Sequence, residues 1–255
     1  IDATRHLIGT IELADLIYHT SDTLIRDIMD DAKQLIFVRT MDDQEEVAEV
    51  VKHYDLLSVP VVDKADRLVG IVTVDDVIDI LQEEATEDIE KMAAITPTDK
   101  PYLRTGIFET YKARMPWLLL LMISATFTGA IITKFEDALA TFVVLTAYIP
   151  MLMDTGGNSG SQASVSVIRA LSLGDVEFRD VLKVIWKEIR VAVLCGITLA
   201  AANFVKLILL DKLALVVALV VCLTLGLVVL VAKIIGCTLP LLADKAGLDP
   251  AVVAA

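Results

Sequence analysis

Residues 117–133 and 213–232 each run without a single charged side chain. Stretches of that length suffice to cross the hydrocarbon of a bilayer. In that solvent every backbone N–H and C=O must find a partner inside the protein, which leaves α-helices or a closed barrel. Neither run alternates polar with apolar at period two, so none reads as a barrel strand and helices are expected. Four spans follow along the chain, at 117–133 (with Met115 and Pro116 added), 138–168, 181–205 and 213–243, the last interrupted only by Lys233.

The charge lies elsewhere. The 255 residues carry a net −13, from 35 acidic and 22 basic side chains. Residues 1–114 hold 25 acids and 12 bases, whereas 115–255 hold 10 of each. The stretch 42–90, with 16 acids and 3 bases, accounts for the whole imbalance. An acidic soluble part therefore precedes a neutral membrane part. Nothing here would neutralise phosphates, so nucleic acid is not expected as a partner and cations are. Cys195, Cys222 and Cys237 lie in apolar stretches without a CxxC pair and read as small apolar side chains. His6, His19 and His53 lack zinc-ligand spacing. With no Ser/His/Asp, Cys/His or phosphate-loop constellation, no enzyme is expected. The chain shows neither an initiator Met nor a signal peptide, and is expected to be the middle of a longer protein.

An internal repeat organises the acidic part. Residues 7–17 (LIGTIELADLI) align with 68–78 (LVGIVTVDDVI), and each copy reads as a short strand followed by an Asp-initiated helix. Before the second copy come a strand at 36–38, a helix at 42–54 begun by Asp42 and Asp43, and a strand at 59–63. This β-α-β-β-α order, with SVPVVD and RLVGIVTVDDVIDIL, resembles a CBS domain. One full copy then occupies residues 21–82, and residues 1–20 are the tail of a preceding copy. The resemblance implies an adenine nucleotide, such as ATP, at Gly70, Thr73 and Asp76. A hydroxyl and a carboxylate at a strand-to-helix turn can bind ribose hydroxyls, or they can simply cap the helix. Both readings stand.

The acidic run continues past that copy. Asp76, Asp79, Glu83, Glu84, Glu87 and Asp88 recur at helical spacing and repel one another along one helix. Either this is a solvated face, or divalent cations bridge the carboxylates and make the helix a Mg²⁺ or Ca²⁺ sensor. Thr96-Pro97 and Lys100-Pro101 are expected to end it. Arg104, Lys112, Arg114 and Trp117 then form an interfacial flank. The basic residues Arg169, Arg179, Lys183, Lys187 and Arg190 cluster between the second and third spans, which makes that loop and the acidic domain cytoplasmic.

Within the second span stands TAYIPMLMDTGGNSGSQ, residues 146–162. Pro150 is expected to deprive the Thr146 carbonyl of its helical partner, and Gly156, Gly157 and Gly160 to weaken the helix further. Non-helical backbone at membrane depth belongs in buried or water-lined places. Asn158, Ser159, Ser161 and Gln162 add neutral oxygens that suit a hydrated hard cation. Close helix packing explains the glycines but not Asp154, Asn158 and Gln162 together. A pore explains all of them.

The same stretch, continued by RAL and by LPLLADKAGLDPAVVAA, resembles MgtE-type magnesium channels and transporters. The family resemblance implies an α+β cytoplasmic CBS region joined by a long acidic helix to an all-α transmembrane bundle, with four of five helices present. The expected divisions are 1–20, 21–82, an acidic connecting helix and linker at 83–114, and a transmembrane domain at 115–255. It implies a homodimer in the cell (inner) membrane that passes Mg²⁺ inward and closes when cytoplasmic Mg²⁺ binds its acidic residues. Position by position, pore sites fall on Thr146, Gly157, Asn158 and Asp249, with Asp154 nearby. Ser161 departs from an asparagine found in some members. Regulatory metal positions fall on Asp43, Glu45, Asp55, Asp76, Asp79, Glu84, Glu87 and Asp88. The family's main pore carboxylate belongs to a fifth helix outside this sequence. Two rival readings are a CBS-regulated transporter of another solute, such as Co²⁺, Mn²⁺ or an anion, and a nucleotide-sensing CBS module merely anchored in the membrane.

Overall fold

The computed structural model describes residues 1–11, 13–29, 35–98 and 100–253. It divides into two units, Ile1–Thr86 and Glu87–Ala255. The first is mixed α and β, the second helical, and one acidic helix runs from the first into the second.

In the first unit a short helix α1 (Leu13–Tyr18) precedes strand β1 (Val38–Arg39), helix α2 (Gln44–His53), strands β2 (Ser58–Val62) and β3 (Leu68–Thr73), and helix α3 (Val74–Met92). β1 lies parallel to β2, with Val38 opposite Val61, and β2 pairs antiparallel with β3, with Val59 opposite Val72. A parallel pair needs a crossover, which α2 supplies. Asp43 caps α2 by accepting the Glu45 N–H at 3.0 Å, as its place before the helix requires. Val47, Ala48 and Val51 then fall on one face and pack with Val38, Val59 and Val77 into a small buried core.

The first copy of the repeat departs from expectation. Residues 7–11 form no strand, and only an isolated bridge joins His6 to Arg67. The Leu7 N–H reaches the Asp66 carbonyl at 3.2 Å, and the Leu68 N–H reaches that of Arg5 at 2.9 Å. A strand exists only as far as a neighbour offers paired backbone, and here the pairing ends after that bridge. The strand expected at 36–38 is likewise shifted to Val38–Arg39.

α3 stops at Met92, before either proline. Ala94 adopts φ +55°, its N–H bonds the Lys91 carbonyl at 2.9 Å, and the Ile95 N–H bonds that of Glu90 at 2.9 Å. This is a left-handed C-terminal cap, and it ends the helix without help from Pro97 or Pro101.

In the second unit α4 (Ile107–Lys134) begins ten residues before the expected span and carries Pro116 inside it. None of its residues is buried. A short helix α5 (Glu136–Thr141) and a 3₁₀ turn (Val143–Tyr148) lead to α6 (Ile149–Ser172), α7 (Val181–Leu209), α8 (Leu215–Lys245) and a last turn α9 (Pro250–Val253). α8 is the central helix, packed against both α6 and α7. Its buried positions Ala218, Cys222, Leu225, Val229, Lys233 and Cys237 follow helical spacing.

Two further expectations change here. The second span is no continuous helix from 138 to 168, because Phe142 (φ −132°, ψ 65°) and the 3₁₀ turn separate α5 from α6. Among the described residues three helical segments, not four, are long and apolar enough to cross a membrane: Ile107–Lys134, Phe178–Leu209 and Leu215–Lys245. α6 has the length, 24 residues or about 36 Å at 1.5 Å each, but its Gly, Ser, Asn and Gln lower its hydropathy.

Candidate functional site

α6 also corrects the idea of a broken helix. Pro150 sits in its first turn, where a missing N–H costs nothing, and therefore starts the helix. The helix runs unbroken through Gly156, Gly157 and Gly160. The Thr146 carbonyl, expected to be freed, accepts the Ile149 N–H in the 3₁₀ turn, leaving its second lone pair. The Thr146 hydroxyl donates to the Val143 carbonyl at 2.6 Å.

Two of the glycines serve close packing. A Cβ on Gly156 would come within 2.7 Å of Val228, and one on Gly160 within 3.3 Å of the Ala232 carbonyl oxygen. A Cβ on Gly236 of α8 would overlap the Gly160 carbonyl oxygen outright. α6 and α8 thus approach backbone to backbone, as small residues allow. Gly157 differs, with nothing within 4 Å of the position its Cβ would take.

The helix has two faces as a result. Gly156, Ser159, Ala163, Ser164, Val167 and Ile168 are buried, while Asp154, Gly157, Asn158 and Ser161 are exposed at i, i+3, i+4 and i+7. The polar residues predicted for the pore at Asp154, Gly157 and Asn158 therefore share one stripe, with Thr146 in the turn that leads to it. Tyr148 anchors that turn, its hydroxyl donating to Asp211 at 2.8 Å in the loop after α7, while Lys206 pairs with Asp211 at 3.2 Å. The Tyr148 hydroxyl first, then Lys206, hold the Asp211 carboxyl below its ordinary range.

Asp249 is placed differently. It accepts the Lys91 ammonium at 2.5 Å and the Ala251 N–H at 2.8 Å, and Lys91 also pairs with Glu87. Partial burial works to lower the Lys91 pKa, but its bonds to Asp249 and Glu87 outweigh that and raise it. The Glu87–Lys91 half of this tie is marked in the sequence by its spacing of four, whereas Lys91 and Asp249 stand 158 residues apart.

The predicted regulatory residues are spread along two helices. Asp43 caps α2, Glu84 accepts from the Gln44 side chain at 2.6 Å, and Asp55 takes left-handed backbone (φ +50°) after α2. Asp79 is exposed on α3, as is Asp76 near its start. Glu45 and Asp88 are engaged within the fold. Among the described residues no three His, Cys, Asp or Glu side chains form a group that could hold a metal ion. Of the nucleotide positions, Gly70 lies in β3 opposite Val61, while Thr73 and Asp76 bond each other. The Asp76 carboxylate accepts the Thr73 hydroxyl at 2.7 Å and the Thr73 N–H at 3.2 Å. The Asp76 side chain thus reaches back to the residue before α3, as one half of a capping box does.

With this geometry in hand, the resemblances to known proteins have physical content. Residues 149–255, from the start of α6 onward, match the family described as MgtE, divalent cation transporter. Residues 25–83 match the CBS domain. A magnesium transporter MgtE from Thermus thermophilus is 40% identical over 99% of this chain, and one from Bacillus subtilis 35% identical over 99%. The chain thus carries an MgtE-type domain from residue 149 and a CBS domain before it. It spans about half the length of those relatives, 55% in each case. Among solved structures, the soluble part of a magnesium transporter is 50% identical over 33% of this chain and 32% of that one, with a TM-score of 0.32. The cytosolic domain of the Mg²⁺ channel MgtE in complex with ATP is 46% identical over 31% and 32%, with a TM-score of 0.30. The fold joins an α+β CBS region to an all-α bundle with apolar helices long enough to span a membrane, and the MgtE match begins with α6.

Proposed function

We propose that this chain is the regulatory and pore-forming part of a magnesium transporter that admits Mg²⁺ to the cytoplasm. The observation that carries this reading is the exposed stripe Asp154–Gly157–Asn158–Ser161 midway along a helix long enough to cross a bilayer. Polar side chains and a bare glycine facing outward from such a bundle need water or protein against them, since lipid cannot satisfy them. Two copies in a homodimer, stripe to stripe, would enclose a neutral-to-acidic lining for a hydrated divalent cation. Mg²⁺ is here the cargo, moved by its gradient and the membrane potential. The relatives named as magnesium transporters support that choice. The broader family description, divalent cation transporter, supports Co²⁺ and Mn²⁺ as the alternative cargo.

The protein sits in the cell membrane with its CBS region in the cytoplasm, a placement that the basic α6–α7 loop supports. At low cytoplasmic Mg²⁺, repulsion among the carboxylates of α2 and α3 favours an open state. At high Mg²⁺, the ion bridges carboxylates across the assembled dimer and favours closure; among the described residues of one chain no three of them form a metal-holding group. An adenine nucleotide is a second regulatory ligand, and it must compete for Thr73 and Asp76 with their mutual hydrogen bonds.

The deciding experiment is Mg²⁺ uptake into liposomes holding the full-length protein, with internal Mg²⁺ varied. Uptake that is saturable in external Mg²⁺ and shut down by internal Mg²⁺ is expected. An absence of uptake would overturn the transport reading, and uptake indifferent to internal Mg²⁺ the gating one.

A further inference from the structure

Flanking the exposed stripe, between α6, α7 and α8, lies a cavity of about 530 Å³ that opens to the surface. Thr155, Asn158, Gln162, Cys195, Thr198 and Lys233 line it. Asn158 thus belongs both to the stripe and to this cavity. The Thr155 and Thr198 hydroxyls spend their protons on the Met151 and Leu194 carbonyls, at 2.8 and 2.9 Å, which leaves their oxygens to accept from water. These polar groups give water partners within an otherwise apolar lining.

Lys233 is the charged member. Its side chain is 6% exposed, midway along α8, and its partner Glu188 on α7 is 12% exposed. The two charges stand 3.7 Å apart, an ion pair beyond direct hydrogen-bond length. Glu188 lines a second cavity, nearer the α6–α7 loop, together with Asp175, Asp180, Lys183 and Lys187. The pair is therefore the wall between two cavities, with the ammonium on the side of Asn158. Such a charge acts over several ångströms in an apolar surrounding, and a divalent cation feels it twice as strongly as a monovalent one.

We propose that Lys233 and Glu188 together set the electrostatic barrier to cation passage along α6: Lys233 places a positive charge in the cavity beside Asn158, and Glu188 cancels it. The inference rests on the transport reading above and assigns a specificity role to two residues outside the stripe. Its signature is asymmetry. Glu188→Gln leaves the ammonium uncompensated and is expected to cut Mg²⁺ uptake about tenfold or more. Lys233→Met leaves no excess positive charge and is expected to retain uptake. The double variant, neutral at both positions, is expected to recover most of what Glu188→Gln loses.

Cys195 reads the same charge without transport, since it lines the cavity while Cys222 and Cys237 are buried. In the full-length protein in liposomes, methanethiosulfonate reagents bearing a sulfonate or a trimethylammonium group are compared for their rates at Cys195, with Cys195→Ser as the blank. Lys233→Met is expected to shift the rate ratio toward the cationic reagent, and Lys233→Arg to leave it unchanged. A Cys195 inert to both reagents, a ratio indifferent to Lys233→Met, or equal loss of uptake in both single variants without recovery in the double would overturn the inference. Wild-type protein that moves no Mg²⁺ overturns the transport reading instead, and the labelling ratio still reports whether Lys233 charges the cavity.

Discussion

At the scale of single residues, three small side chains carry opposite instructions. Ala94 occupies left-handed backbone at the end of α3, where a Cβ costs about 1–2 kcal/mol and glycine costs nothing. Ala94→Gly is therefore expected to stabilise the chain by about 1 kcal/mol, read as a raised melting temperature in detergent. Gly236 and Gly157 make a contrasting pair. Gly236→Ala drives a methyl into the Gly160 backbone and should destabilise by about 1–3 kcal/mol. Gly157→Ala meets nothing in its own subunit and removes a flexible residue from a helix interior, a gain of about 0.5–1 kcal/mol. If the stripe lines the ion path, that more stable Gly157→Ala variant should nonetheless carry less Mg²⁺ than the wild type. Equal uptake would move the path off this face.

At the scale of elements, what matters is where α6 begins and how it is held. Pro150 starts the helix, and the 3₁₀ turn before it is tied through Tyr148 to Asp211 in the loop after α7. The Asp211 carboxyl is held below its ordinary range by that hydroxyl and by Lys206. A depressed folded-state pKa contributes stability that is present above the unfolded carboxylate range and lost as pH falls through the folded value. Acid should therefore loosen this tie. Melting temperatures between pH 6 and pH 3 are expected to fall less steeply in Asp211→Asn than in the wild type. A parallel decline would show that the tie adds nothing to acid sensitivity.

At the scale of the whole molecule, the proposed function assigns sensing to the acidic half and passage to the apolar half. The proposed sensor needs its carboxylates only for their charge, because several are already committed to caps and side-chain bonds. Replacing Asp76, Asp79, Glu84, Glu87 and Asp88 together by neutral amides is expected to keep Mg²⁺ uptake and abolish its shut-down by internal Mg²⁺. Inhibition that persists unchanged would remove α3 from the sensor. The same replacement at Glu87 loosens Lys91, which ties the end of α3 to Asp249 after α8, so Glu87 is also to be varied alone.

The order of elements was legible along the chain wherever a local rule governs it. The Asp43 cap, the alternation of strand and helix around Pro60, and the long uncharged runs each act over a few residues, and the fold follows them. Local pattern puts a break at Pro150, since proline interrupts a helix interior, whereas in the fold Pro150 stands in the first turn of α6 and the break precedes it. The strand at 7–11 failed because pairing depends on a neighbouring strand, which local pattern does not report. Composition by itself thus determined an acidic α+β region before an apolar helical one, and put the polar motif at 146–162. Only the tertiary structure decided which side of α6 is packed and which is free, that Gly160 and Gly236 touch while Gly157 does not, and that Lys233 has Glu188 behind it. The reason is that burial and charge pairing are properties of neighbours in space, and helices far apart in the sequence become neighbours only once they pack.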